Sequence, residues 1–146
     1  MRFFPLLLIA VIAYNIVAFG NGLTHPGGDQ AVNAVNGALQ AHISVPMFSG
    51  DIWNVSLGDA LVTLALILLF VEIVKSTRTS SKQIVNHGLS TLTFVVALME
   101  FIALRGFATS TFFFIMVMCL IDVVGGYTIS IVAAEHNLGL ARVSTD

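Results

Sequence analysis

Four long apolar stretches dominate the pattern of hydrophobic and polar positions along the chain. They run from Phe3 to Phe19, from Leu57 to Val74, from Gly88 to Leu104, and from about Thr109 to Ala134. A helix that crosses a bilayer needs about 20 mainly apolar residues, within a range of roughly 17 to 25. The pattern therefore predicts an all-α polytopic membrane protein with one membrane domain. Its four transmembrane helices are expected at about 3–20, 56–75, 86–105 and 109–135.

The first apolar stretch has a second interpretation. A basic residue followed by a short apolar stretch is also typical of a cleavable secretory signal. Ala18 and Gly20 supply the small residues that such a cleavage site needs. The stretch reaches the lower length limit for a span, so an uncleaved first helix is the favoured prediction and cleavage is the alternative.

The long segment 21–55 between the first two predicted helices has a pattern of its own. Val32, Val35, Leu39 and Ile43 follow one another at spacings of three and four, which predicts a short amphipathic helix that ends before Pro46. Such a helix suits either the membrane surface or the ends of the bundle.

An apolar and aromatic patch follows that helix. It contains Met47, Phe48, Ile52 and Trp53. Aromatic side chains are enriched where a membrane meets water, so Phe48 and Trp53 are predicted as interfacial anchors. A binding surface for a partner protein is the alternative.

The basic residues predict an orientation in the membrane. Lys75, Arg78 and Lys82 lie between the second and third predicted helices, and Arg2 and Arg142 lie near the termini. Arg105 alone falls on the other side. Since Lys and Arg accumulate in cytoplasmic loops, both termini are expected in the cytoplasm and segment 21–55 outside.

Composition agrees with a membrane protein and excludes several functions. Hydrophobic residues make up 57% of the 146 residues and charged residues 10%, whereas a soluble domain has about 25% charged residues. The net charge of −2 offers no basic field for nucleic acid. Cys119 is the one cysteine, and the four histidines are scattered, so neither a metal motif nor a cofactor is predicted. No nucleophile–base set points to an enzyme.

Polar residues inside the apolar stretches are the candidate functional positions. A charged group at bilayer depth costs roughly 2.5–3.5 kcal/mol, even on lenient insertion scales. Asp122 lies near the midpoint of the fourth predicted helix, and Glu100 and Asn15 lie outward of the middle of theirs. Glu72 lies near the cytoplasmic end of the second, three residues before Lys75. Tyr127 is a candidate hydrogen-bond partner, and His87 is interpreted as an interfacial polar residue.

Small and polar residues form two stripes at helical spacing. The candidate packing residues on the third predicted helix are Ser90, Thr93 and Ala97, in line with Glu100; on the fourth they are Gly126, Ser130 and Ala134, in line with Asp122, with Gly125 beside them. Small residues at every third or fourth position let membrane helices approach closely. These two helices are therefore predicted to pack together, with both acids inside the bundle or at a subunit interface.

Three roles are open for Asp122 and Glu100. A neutral carboxyl can join helices by donating a hydrogen bond, and burial in a low-dielectric medium favours that neutral form. Acids at stepped depths can also form a proton or cation site. The third interpretation is an ion pair with a basic group on another protein.

Segment Pro46–Arg78 and the stretch TSTFFFIMVMCLIDVVGGYTISI resemble a group of uncharacterised small four-helix inner-membrane proteins of alphaproteobacteria. The resemblance implies a bacterial inner-membrane location and no particular activity. The expected function is a non-enzymatic accessory or structural subunit that joins other membrane proteins, or copies of itself, in the lipid bilayer. A small proton or cation channel or transporter that uses Asp122 and Glu100 is the alternative.

Overall fold

A computed structural model describes residues 5–24, 28–76 and 83–143 of the chain. Its elements, in chain order, are α1 (Leu7–Thr24), α2 (Gly28–Gln40), β1 (His42–Pro46), β2 (Ile52–Ser56), α3 (Leu57–Ser76), α4 (Gln83–Ala103) and α5 (Ser110–Val143). The predicted helical class is confirmed for these residues, and one β-hairpin accompanies the helices.

Two of the described helices are long and apolar enough to cross a membrane. They are Leu57–Ser76 and the Ser110–Val132 part of α5. Shorter apolar stretches, Leu7–Gly22 and His87–Ala103, form most of α1 and α4. Length and composition thus support membrane association for two of the four predicted spans.

The helices pack around α5. It contacts α3, α4 and α1, and α1 also contacts α3, α4 and the short helix α2. Leu6, just before α1, contacts Glu72 near the end of α3, and His87 near the start of α4 contacts Ser130 late in α5. These pairs show that α1 runs antiparallel to α3, and α4 antiparallel to α5. One end of the bundle, the hairpin end, carries β1 and β2; the opposite end is the Lys75 end.

An aromatic cluster closes the bundle at the hairpin end. The Tyr14 hydroxyl donates to the Gly106 carbonyl (2.8 Å) and lies 2.7 Å from Thr109 Oγ1. The Tyr14 ring packs at centroid distances of 5.4 Å from Phe107 and 4.6 Å from Phe112. Gly106 has φ of 84°, a backbone region that favours glycine, so the chain turns sharply between α4 and α5 here.

The segment between α1 and α3 corrects two sequence-based expectations. Helix α2 is present, with Val35 and Leu39 buried, but Ile43 and Pro46 belong to β1 instead of a helix and its end. The first helix also continues to Thr24, beyond the predicted end near residue 20. The predicted external segment 21–55 is therefore mostly ordered structure.

The hairpin is antiparallel and has a tight turn. His42 pairs with Ser56 and Pro46 with Ile52, and the Met47 amide donates to the Asp51 carbonyl at 2.9 Å. Three residues remain in the loop, and Gly50 has φ of 90°. A three-residue hairpin loop commonly ends on such a left-handed residue, which explains why a glycine stands there.

The hairpin continues directly into α3. Ser56 forms a reciprocal cap with Asp59: the Asp59 amide donates to Ser56 Oγ (3.0 Å), and the Ser56 amide donates to Asp59 Oδ2 (3.0 Å). The Leu57 amide donates to the Ala41 carbonyl at 2.8 Å. Both hydrogen-bond sets fix the base of the hairpin to the start of α3.

Candidate functional site

Asp122 is the centre of a buried polar cluster in the half of the bundle toward the Lys75 end. Its side chain is 4% exposed. The Ser90 hydroxyl of α4 interacts with the Asp122 carboxyl, and Glu72, His87 and Lys75 are close enough for their charges to act on it. Helices α3, α4 and α5 therefore all contribute polar groups at this position.

His87 has a specific place in this cluster. Its Nε2 lies 2.8 Å from the Ser130 hydroxyl, and its ring packs on Tyr127 at a centroid distance of 5.6 Å. A Cβ atom at Gly126 would come within 2.6 Å of His87 Nδ1. Because no side chain fits there, the glycine makes room for the imidazole between α4 and α5.

Glu72 joins the start of α1 to α3. Its side chain is fully buried. Lys75 Nζ donates to Glu72 Oε1 at 3.1 Å, and the Leu6 amide donates to Oε2 at 3.1 Å. The carboxylate thus holds the start of α1 against α3 and has a basic partner.

Glu100 lies away from this cluster. Its Oε2 accepts a hydrogen bond from Asn15 Nδ2 at 3.0 Å, and the same amide donates to the Val11 carbonyl at 2.9 Å. Ten residues separate Glu100 from Ser90 on α4, which is about 15 Å at 1.5 Å per residue. Helices α4 and α5 do pack together, but Glu100 is half-buried and pairs with α1, whereas Asp122 lies in the cluster toward the Lys75 end.

The residues of the two small and polar stripes also differ in burial. Ser90, Thr93 and Ala97 are buried on α4, and Gly126 is buried on α5. A Cβ atom at Gly125 would meet no atom within 4 Å, so only the second glycine of the pair has a close neighbour. Ser130 is half-buried. Ala134 lies in α5, and its side chain falls outside the described part of the chain.

An apolar layer separates the Asp122 cluster from the hairpin end. It consists of buried side chains from α4 and α5: Ala97, Phe112, Ile115, Met116 and Cys119. On the Lys75 side of this layer, Glu72, His87 and Ser90 are buried polar residues, and Lys75 is 31% exposed.

The β-hairpin forms a second candidate surface. Neighbouring residues of a strand point to opposite sides, so the observed register places Ile43, Val45, Met47, Trp53 and Val55 on one side, the apolar hairpin face. Ile43 is 75% exposed, Trp53 is 56% exposed, and Phe48 at the turn is fully exposed. The other side carries His42, Ser44, Asn54 and Ser56, with Pro46 and Ile52 near the turn.

Comparisons with known proteins add no assignment. The chain matches no protein-family model, and no curated protein or solved structure is significantly similar to it. Among the described residues, no three or more His, Cys, Asp or Glu side chains form a group that could hold a metal ion. The hydroxyl and carboxyl groups around Asp122 suit hydrogen bonding between helices.

The spacing of Glu72 and Lys75 agrees with their observed pairing, but the contact of His87 with α5 and that of Glu72 with the start of α1 were not predicted. His87 was interpreted as a polar residue at the membrane interface, yet it is buried against α5. A signal was available, because His87, Ser90 and Thr93 are three residues apart and continue the small and polar stripe of α4. The contact of Glu72 with α1 depends on tertiary packing, which helical spacing does not encode.

Proposed function

We propose that this chain is a four-span inner-membrane protein of bacteria that acts as a non-enzymatic accessory subunit. It would assemble with another membrane protein or with copies of itself. In this topology α1, α3, α4 and the first part of α5 cross the bilayer. Both termini and the Lys75 end are cytoplasmic, and the hairpin end is external.

The distribution of exposed side chains supports membrane insertion. Large apolar side chains face outward on all four helices, for example Ile16 on α1, Phe70 on α3, Ile102 on α4 and Ile131 on α5, whereas Glu72 and Asp122 face inward. Soluble monomers rarely expose apolar patches larger than a few hundred Å². Helices of 18 to 21 residues are also about 27–32 Å long, which matches a hydrocarbon core of about 30 Å.

The apolar hairpin face is the observation that carries the accessory role. An isolated two-stranded hairpin is at best marginally stable in water. Both strands of this hairpin are edge strands of a two-stranded sheet, and such edges readily pair with another chain. A second protein chain can cover the apolar side chains and also pair with a strand edge, whereas lipid can only cover the side chains. A protein partner therefore explains both the apolar face and the unpaired strand edges, whereas membrane anchoring explains only the apolar face.

The channel or transporter alternative has less support from the geometry. Asp122 and Glu100 are about 15 Å apart along the bundle, and the buried apolar layer lies between them. A water-filled path through one copy would have to cross that layer. The accessory role requires no such path.

Native mass spectrometry of the full chain, extracted in mild detergent, tests the accessory role. We expect the wild-type protein to appear as an oligomer or with a second membrane protein. The double substitution Val45→Ser and Trp53→Ser, at one cross-strand pair, should weaken the association about 10-fold or more, because large buried aromatic residues dominate interface energies. The control is Ser44→Ala with Asn54→Ala, the adjacent pair on the polar side, which should leave the association intact.

A protein that is always monomeric, or equal behaviour of the two double variants, would refute this role. Trp53 is the chain's one tryptophan, so its fluorescence shows whether lipid or a protein partner covers the apolar hairpin face. Quenching by brominated lipids in the complex would favour the interfacial anchor, and protection from both lipid and aqueous quenchers would favour a protein partner.

A further inference from the structure

The hydrogen-bond pattern of the hairpin shows which of its residues point their backbone groups outward. The Leu57 amide donates to the Ala41 carbonyl at the base of the hairpin, and the Met47 amide donates to the Asp51 carbonyl at the turn. Hydrogen-bonded and non-hydrogen-bonded pairs alternate along an antiparallel ladder. Every second pair in the observed register is therefore hydrogen-bonded, and the residues of the other pairs direct their amides and carbonyls away from the hairpin.

The two outer edges of the hairpin differ in the backbone groups that they offer. The outward residues are His42, Ser44 and Pro46 on β1, and Ile52, Asn54 and Ser56 on β2. Proline has no amide hydrogen, so Pro46 interrupts the β1 edge. On β2, the Ser56 amide already donates to Asp59 Oδ2 at 3.0 Å. Ile52 and Asn54 keep both outward groups, to which no other residue in the described part of the chain forms a hydrogen bond.

An antiparallel second copy of β2 provides partners for these free groups. When Ile52 of one copy lies opposite Asn54 of the other, each residue donates its amide to the opposite carbonyl, and twofold symmetry gives four hydrogen bonds in all. A shift that places Asn54 opposite Asn54 of the other copy would set Ile52 against Ser56, whose amide has a partner. The same arrangement on β1 would set Pro46 of one copy against Gln40, the last residue of α2. The free groups therefore favour the β2 edge and the first register.

The side chains and charges of β2 are compatible with this pairing. Between the hydrogen-bonded pairs, Trp53 lies opposite Trp53 of the other copy on the apolar hairpin face, and aromatic cross-strand pairs stabilise antiparallel sheets. Strand β2 has no charged residue. Asp51, just before it, would lie opposite Val55, so no like charges meet. Two paired hairpins form a four-stranded sheet, which is more stable than an isolated two-stranded hairpin.

A second copy is the partner that the fold itself supplies. Ile52 is 66% exposed and Trp53 is 56% exposed, so the described part of the chain leaves the β2 edge open. Every copy carries its hairpin at the same end of the bundle. Two copies side by side in one bilayer therefore present their β2 edges at the same depth, whereas a strand of another protein would have to be placed there separately.

We propose that two copies of this chain associate by antiparallel pairing of their β2 strands, in the register that places Ile52 opposite Asn54. The interface is symmetric, with Trp53 of both copies at the twofold axis. This inference rests on the proposed function, because it names the partner that the hairpin binds in the accessory role.

Cysteine cross-linking in native membranes tests the register. Two differently tagged full-length chains are co-expressed, one with Ile52→Cys and the other with Asn54→Cys, so that Trp53 stays in place. The Cα atoms of a hydrogen-bonded pair are about 5.5 Å apart, which a disulfide can span. Equal positions of the two copies are offset by about 7 Å along the strands, so oxidation should give at least about 10-fold more cross-linked dimer in the mixture than in either variant alone. Cys119 is buried, and the unsubstituted chain should give no cross-linked dimer.

The possible outcomes separate this inference from the proposed function. Cross-linking of Asn54→Cys alone would indicate the shifted register, and cross-linking of Ile43→Cys alone would indicate pairing through β1; either result would overturn the proposal. If the mixture gives no cross-link while native mass spectrometry still shows an association that Val45→Ser with Trp53→Ser weakens, the pairing of two β2 strands is refuted and the accessory role stands. A protein that is always monomeric would refute both.

Proline substitutions test the same edge without cysteines. Asn54→Pro removes an outward amide from β2, and Ser44→Pro removes the outward amide of the paired position on β1. Both variants also remove the hydrogen bond between the Ser44 and Asn54 side chains. Because Asn54→Pro deletes two of the four hydrogen bonds between the copies, it should weaken the dimer about 10-fold or more in native mass spectrometry, whereas Ser44→Pro should leave it intact. Equal weakening by the two proline variants would contradict pairing through β2.

Discussion

Two adjacent glycines in α5 have different neighbours, and this difference gives a test at the scale of single residues. A Cβ atom at Gly126 would lie 2.6 Å from His87 Nδ1, whereas one at Gly125 meets no atom within 4 Å. We predict that Gly126→Ala lowers the free energy of unfolding by about 1–3 kcal/mol, the usual cost of overpacking. Gly125→Ala should be neutral or slightly stabilising, since alanine favours helix. Thermal unfolding in detergent measures both, and a larger loss for Gly125→Ala would contradict the packing described for His87.

The Tyr14 hydroxyl gives a second test at this scale. It donates to the Gly106 carbonyl and contacts Thr109, which caps α5 by accepting from the Phe112 amide at 3.2 Å. Tyr14→Phe keeps the ring in the aromatic cluster and removes only the hydroxyl. We expect a loss of about 1 kcal/mol in the free energy of unfolding. Tyr127→Phe, at a side chain that is half exposed, is the control and should lose less.

At the scale of elements, the cap between Ser56 and Asp59 joins the hairpin to α3. Removal of an N-cap side chain costs about 1 kcal/mol, so Ser56→Ala should loosen the first turn of α3 and the base of the hairpin together. Hydrogen exchange followed by mass spectrometry should show faster exchange in both segments. Ser44→Ala, which removes the hydrogen bond from Ser44 to Asn54 on the polar side of the hairpin, should leave the first turn of α3 protected. Faster exchange in the hairpin alone would contradict a shared base.

The sequence predicted the helices more fully than it predicted the hairpin or the contacts of the acids. A continuous apolar stretch of about 20 residues is a strong signal, and it located α3 and most of α5. The hairpin was not predicted because Val35, Leu39 and Ile43 fit a helical spacing. Ile43, Val45 and Met47 also fit the alternation of a strand. Short segments that satisfy both periods are decided by tertiary context, here the turn at Gly50 and the pairing with β2.

The contacts of the candidate site could also be predicted only in part from the sequence. The stripe containing Ser90, Thr93 and Ala97 predicted the buried face of α4, because one helix determines its own faces. Whether Asp122 faces Glu100 or Glu72 depends on how three helices are arranged, and helical spacing carries no such information. Asn15 and Glu100 pair between α1 and α4, which are separated by α2, the hairpin and α3 in the chain.

At the scale of the whole molecule, polar groups are concentrated inside the bundle and apolar groups cover its sides. Asp122, His87 and Glu72 are buried, whereas Phe70, Leu92 and Ile16 face outward. This distribution is stable when lipid surrounds the sides, because lipid covers apolar side chains and cannot satisfy polar ones. In the proposed topology, the hairpin and the Lys75 end would lie on opposite sides of the membrane.

Labelling of single cysteines from one side of the membrane tests this topology most directly. Cys119 is buried in the bundle, so the unsubstituted chain supplies an unlabelled background. We predict that Ser49→Cys, at the hairpin turn, reacts with a membrane-impermeant maleimide in intact spheroplasts. Ser81→Cys, between α3 and α4, should react only after the membrane is permeabilised. Labelling of both cysteines in intact spheroplasts, or of Ser81→Cys alone, would contradict a four-span protein with its hairpin outside.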